Sequence, residues 1–295
     1  MPRLCLPALL LGFSIFALPA MLRGEEQAAF TKHANLAYAE HEGVEANLTS
    51  LDVYAPAGAK DLPVMVYIHG GGWRQGDKAN VEGKPRLFCG LGYVFVSINY
   101  RLTPAVKHPT HIEDVAAAFA HIVKNIAKYG GDSRKLVVIG HSAGAHLAGL
   151  IAADHRRWEK EGIDPAALRG AVLLDGALYH APRRAEAVEK EKPFFLATFG
   201  PSEEQLLDAS PIHHVRTGNA YPRMLIVHAG DRELSRVQGA MLAEAFQAAG
   251  GYAEMLHAPE KDHGGVNRDI GRPNDAMSER ILAFIAECFA EKTKE

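Results

Sequence analysis

Short runs of aliphatic residues alternate along the chain with longer segments whose apolar positions recur at helical spacing. Residues 50–54 and 64–69 read as strands, the second rich in Val and running into glycines. Residues 93–100 form another buried strand, with almost no polar residue before Asn99. Over 112–129, Ile112, Val115, Phe119, Ile122 and Ile126 share one helical face, and the run closes at Gly130-Gly131. Residues 136–139 are continuously aliphatic, as a strand covered on both faces requires, and 146–153 continue as a helix. The unit then repeats. Strands at 171–174 and 224–227 precede a helix at 237–249 with Met241, Leu242 and Phe246 as its apolar stripe. A last strand at 252–257 and a closing helix at 276–289 complete the pattern. This alternation predicts an α/β fold with a mostly parallel central sheet and helices on both faces. Residues 180–221, with Pro182, Pro193, Pro201 and Pro211, break the rhythm. They read as an irregular, cap-like excursion over the sheet, leaving 25–295 as one domain.

Residues 1–24 follow a different rule. Arg3 precedes an apolar run from 4 to 18, and the small residues Ala17 and Ala20 stand ahead of the polar stretch 23–26. That is the pattern of a cleaved signal peptide, which predicts a secreted or periplasmic protein without stable membrane insertion. An uncleaved anchor is the alternative, disfavoured by the short run, by Pro7 and Pro19, and by the missing basic flank. Beyond this segment Cys89 and Cys288 remain, and they read as buried thiols although an exported protein could pair them. The net charge of −3 supplies no basic field for nucleic acid. The fifteen histidines are scattered without metal-ligand spacing, so neither a metal nor an organic cofactor is expected.

The chemistry concentrates in four places. Gly140-His141-Ser142-Ala143-Gly144 follows the aliphatic strand and opens a helix, the context in which Gly-x-Ser-x-Gly forms a nucleophile elbow. His69-Gly70-Gly71-Gly72-Trp73 follows the strand before it. Such a glycine run frees N–H groups to hold an oxyanion, and Gly71 and Gly72 are assigned as donors together with Ala143. A serine needs a base, and the base an orienting carboxylate, in chain order Ser, acid, His. Asp231, directly after the strand ending at Val227, is the expected acid, and His263 after the last strand is the expected base. Asp175 also follows a strand and is the competing acid. Otherwise Asp175, with Trp73 and His141, is expected to line the substrate pocket. His146 reads as a hydrogen-bonded core residue, and Asp262 as solvated.

With these residues in place the chain resembles α/β-hydrolase esterases that carry a His-Gly-Gly-Gly-Trp loop. The likeness is strongest to bacterial feruloyl-esterase-like and arylformamidase-like carboxylesterases. It rests on residues 69–78 (HGGGWRQGDK), 97–102 (SINYRL), 140–148 (GHSAGAHLA), 209–215 (ASPIHHV) and the two loops carrying Asp231 and His263. The resemblance implies the α/β-hydrolase fold, the triad Ser142, Asp231 and His263, and a structural ion pair between Arg101 and Asp114. It implies ester hydrolysis through an acyl-serine on small or carbohydrate-linked esters. An amidase, formamidase or peptidase would use the same groups, and a non-catalytic binding protein could keep the scaffold. The chain departs from the family at Asp175-Gly176-Ala177 and Glu233-Leu234-Ser235, both beside the expected pocket.

Overall fold

Alternation along the central strands sorts apolar side chains to two faces. In β3 (Leu62–Ile68), Val64, Val66 and Ile68 join one core while Met65 and Tyr67 join the other. The same sorting holds in β4 (Val94–Ile98) and in β5 (Gly131–His141), where Leu136 and Val138 oppose Val137 and Ile139. The computed structural model describes residues 29–187 and 189–290, so the expected signal peptide lies outside the described residues. The remaining strands are β1 (Phe30–Ala37), β2 (Ser50–Pro56), β6 (Leu168–Leu174), β7 (Arg223–Ala229) and β8 (Ala253–Ala258). They form one sheet in the order β1-β2-β4-β3-β5-β6-β7-β8. Strands β3 to β8 run parallel, and β1 and β2 are antiparallel at one edge.

Helices Thr110–Asn125, Ala143–Ala153 and Glu233–Ala248 cover one face; Lys84–Gly90 and Ala276–Phe289 cover the other. The expected layered α/β arrangement is therefore present. Arg101 and Asp114 form the ion pair that the resemblance implied, with Arg101 Nη2 2.6 Å from Asp114 Oδ1 and Nε bonded to both carboxylate oxygens. Cys89 and Cys288 are free thiols on helices on the same face, and burial pushes their pKa values up to about 11 and about 12.

The segment expected to be irregular is helical. It carries Ala181–Ala187, Lys192–Phe199, Glu203–Asp208 and Pro211–His214. Its prolines start helices: Pro193 and Pro211 stand in first turns, where the missing N–H costs nothing. Ser202 and Gln205 close a capping box on the third helix. Asp208 ties this segment to the body through Arg157 at 2.7 Å, His108 at 2.8 Å and Arg156 at 2.9 Å.

Candidate active site

Ser142 stands between β5 and the helix Ala143–Ala153 with φ 56° and ψ −117°, a conformation that non-glycine residues avoid. Such strain costs on the order of 1–3 kcal/mol and persists only where the surroundings enforce it. The flanking glycines allow the enforcement. A Cβ on Gly140 would lie 2.1 Å from the carbonyl oxygen of Gly144, and one on Gly144 would lie 2.1 Å from that of Ile68. Gly144→Ala is accordingly expected to destabilise the fold by about 1–3 kcal/mol or more, read as a lowered thermal midpoint.

The glycine loop rises beside the elbow. Gly71 (φ 112°) and Gly72 (φ 61°) adopt backbone angles that favour glycine. The N–H groups of Gly71, Gly72 and Ala143 find no backbone acceptor among the described residues. Gly70 comes nearest to the serine, for a Cβ there would sit 3.1 Å from that of Ser142 and 2.9 Å from the His141 carbonyl. This close approach was not singled out from the sequence, where all three glycines look alike.

The loop after β8 brings His263 over the sheet edge. Its Nε2 lies 3.0 Å from Ser142 Oγ, and its Nδ1 lies 2.6 Å from Asp175 Oδ2. Lys261 fastens the base of this loop to Asp269 at 2.9 Å and to Asp275. The carboxylate beside the imidazole is thus Asp175, and not Asp231 as the order of strands led us to expect. The reason lies in two turns. Asp175 leaves β6, the immediate neighbour of β5, and its N–H continues the ladder to Val227 O at 2.8 Å while the Ser142 N–H bonds Leu174 O at 2.9 Å. Its φ of 50° swings the side chain toward the nucleophile, a region that Asp tolerates better than most residues. After β7 the tight turn through Gly230 leaves Asp231 exposed, with no side-chain hydrogen bond or ion pair among the described residues. Arg232 turns inward instead and places Nε 2.7 Å from Asp175 Oδ2.

Asp175 is fully buried yet remains a carboxylate. Burial alone would push its pKa up. The hydrogen bonds from His263 and the Ala229 N–H, with the Arg232 charge, outweigh that and hold it below the ordinary value. Two further histidines shape the site without joining this chain of contacts. His141 Nε2 donates to the His263 carbonyl at 2.7 Å and so steadies the loop that carries the imidazole. His146 accepts from Trp73 Nε1 at 3.2 Å and donates to Ala209 O at 2.8 Å, which leaves its ring neutral. It thereby fixes Trp73, which Phe194, Phe195 and Phe199 surround. Trp73, Asp175 and Ser142 line one cavity of about 230 Å³. His141 does not line it.

Burial lowers the pKa of His111 and of His141 to about 4, and that of His146 to about 3, from an ordinary 6.5. Between those values and 6.5 the unfolded chain binds protons that the folded chain excludes, so lowering the pH through this window favours unfolding. The thermal midpoint is expected to fall from pH 6.5 to pH 4, and less steeply in His146→Gln, whose amide can still donate to Ala209 O.

The BD-FAE family model matches residues 51–246. Esterase LipC of Mycobacterium tuberculosis is 34% identical over 222 residues, covering 70% of this chain and 53% of LipC. The chain thus spans about half the length of that relative. Carboxylesterase NlhH of the same organism is 30% identical over 231 residues, covering 73% of this chain and 70% of NlhH. The crystal structure of Esterase B from Lactobacillus rhamnosis superposes with a TM-score of 0.73 at 21% identity, covering 90% of this chain and 89% of that one. The fold is the α/β-hydrolase fold.

Proposed function

The chain belongs to the BD-FAE family, and from that premise we propose that it hydrolyses carboxylic esters through an acyl intermediate on Ser142. The observation that carries this reading is the continuous contact from Ser142 Oγ through His263 to Asp175 at 3.0 and 2.6 Å. In this reading His263 Nε2 takes the hydroxyl proton as Ser142 attacks the carbonyl carbon. The Asp175 carboxylate holds the Nδ1–H tautomer and stabilises the imidazolium that forms. The N–H groups of Gly71, Gly72 and Ala143 receive the oxyanion, each contributing roughly 3 kcal/mol in the transition state. His263 then returns the proton to the leaving alkoxide, and water frees the acid by the same route.

The names of the relatives, an esterase and a carboxylesterase, support an ester as substrate, and in this reading the ester is small or carbohydrate-linked. The helices between His180 and Tyr221 serve in this reading as the roof of the pocket, within one domain spanning 25–295. The apolar N-terminus supports export to the periplasm or beyond. Among the described residues no helix is long and apolar enough to cross a membrane. An esterase is expected to turn over p-nitrophenyl acetate far faster than p-nitroacetanilide, because the oxyanion donors are shared but the anilide leaving group needs a better-placed proton. Equal rates on the two compounds would favour an amidase. Dialysis against EDTA is expected to leave ester turnover unchanged, since each step above has a side chain or N–H group assigned to it.

A further inference from the structure

We propose that the pocket beside Ser142 selects esters whose short acyl chain ends in a carboxylate, and that Arg184 and Arg232 recognise that carboxylate. The proposal rests on the ester-hydrolase reading and adds its substrate class. Two guanidinium groups line the same cavity as Ser142, where Trp73, Phe194 and Phe195 supply the apolar walls. Arg232 already supports Asp175, but an acyl pocket for plain alkyl chains has no use for the second, buried cation of Arg184, whose desolvation is costly unless an anion accompanies it. The anions already present leave donors over. Asp175 is committed to His263 and to Arg232 Nε. The terminal nitrogens of Arg232 have no hydrogen-bond partner among the described residues, and its side chain is 45% exposed. Arg184 is 7% exposed and stacks on Phe195 with its guanidinium carbon 4.5 Å from the ring centroid. Its Nε and Nη1 are buried without a partner among the described residues and closed off from the cavity, so a ligand reaches this guanidinium through Nη2.

The remaining nitrogen, Nη2, shows what this guanidinium takes. It holds the carboxylate of Glu191, a half-exposed side chain from the short turn Glu189–Glu191 that also lines the cavity. Glu191 thus occupies from the protein side the place that a substrate carboxylate would take. With the ester carbonyl at Ser142, the far end of a dicarboxylic half ester exchanges with Glu191 and meets both arginines. Paired, planar donors suit a carboxylate better than a neutral acyl terminus does.

The test compares monophenyl glutarate with phenyl pentanoate, followed by phenol release, in the wild type and in Arg184→Leu, Arg232→Leu and Glu191→Gln. The readout is the ratio of kcat/KM for the anionic ester to that for the neutral one. In the wild type this ratio is expected to exceed one and to fall as salt rises. Each arginine substitution is expected to lower it about tenfold or more, the scale of one charge-assisted hydrogen bond. Glu191→Gln is expected to raise it, because a competitor for Arg184 is removed. If Arg184→Leu fails to fold, the ratios in Arg232→Leu and Glu191→Gln still decide. A ratio unchanged across the variants, with phenyl pentanoate still hydrolysed, overturns the carboxylate subsite and leaves the esterase reading intact. Failure of the wild type on both esters overturns the esterase reading itself.

Discussion

Asp175→Asn is expected to lower kcat for p-nitrophenyl acetate by about 10⁴-fold, the scale seen when an amide replaces a triad carboxylate. The loss follows from the Nδ1 contact of 2.6 Å. An Asn side chain presents either an N–H that opposes the Nδ1 proton or a neutral oxygen that stabilises the imidazolium less. KM should change little, since the carboxylate acts on the imidazole and not on the ester. Asp231→Asn is the paired experiment. Its side chain is exposed and contacts neither His263 nor Ser142, so the rate should stay within about threefold of wild type, as for other surface substitutions. Because the Asp175 pKa is depressed, the carboxylate stays ionised throughout the neutral range. Its contribution to stability is fully present above the ordinary carboxylate value and is lost as the pH falls through the folded one.

Ser142→Ala is expected to reduce turnover of the same ester at least about a thousandfold, leaving only the catalysis that oxyanion donors and binding supply. His263 would keep its position in this variant, because His141 and Lys261 hold the loop independently of the serine. The fold should survive, since only one oxygen atom is removed. Near-wild-type turnover in a folded Ser142→Ala protein would remove the serine from the chemistry.

Most of the sheet and both flanking helix layers were legible in the pattern of apolar residues, because a two-faced parallel sheet needs aliphatic runs that little else in a sequence imitates. Strand β1 was not. Its burial is shallow and most of its positions are exposed, so it carries no apolar signature to read. The prolines between 180 and 221 misled for a different reason. Proline starts a helix as readily as it stops one, and only the register of the following residues distinguishes the two. Within the site, the elbow, the glycine loop and His263 follow from local constraints that are visible in the residues themselves. The acid does not. Asp175 and Asp231 both follow buried strands, and the choice between them depends on how each turn leaves the sheet. One signal was available: Arg232 beside Asp231 is a cation where a triad acid would need room, and Asp175-Gly176 follows the strand adjacent to the nucleophile. The two arginines of the pocket were beyond reach for the same reason, since Arg184 and Arg232 lie far apart in the chain and line one cavity only through the helices that cover the sheet.

The most direct test of Ser142 as a nucleophile activated by His263 is covalent labelling of the wild-type protein with a fluorophosphonate, followed by peptide mass spectrometry. The expected result is a single phosphonyl adduct on the peptide carrying Ser142, formed more slowly in Asp175→Asn and at the wild-type rate in Asp231→Asn. An adduct on another residue, no adduct at all, or slowing by Asp231→Asn in place of Asp175→Asn would contradict it.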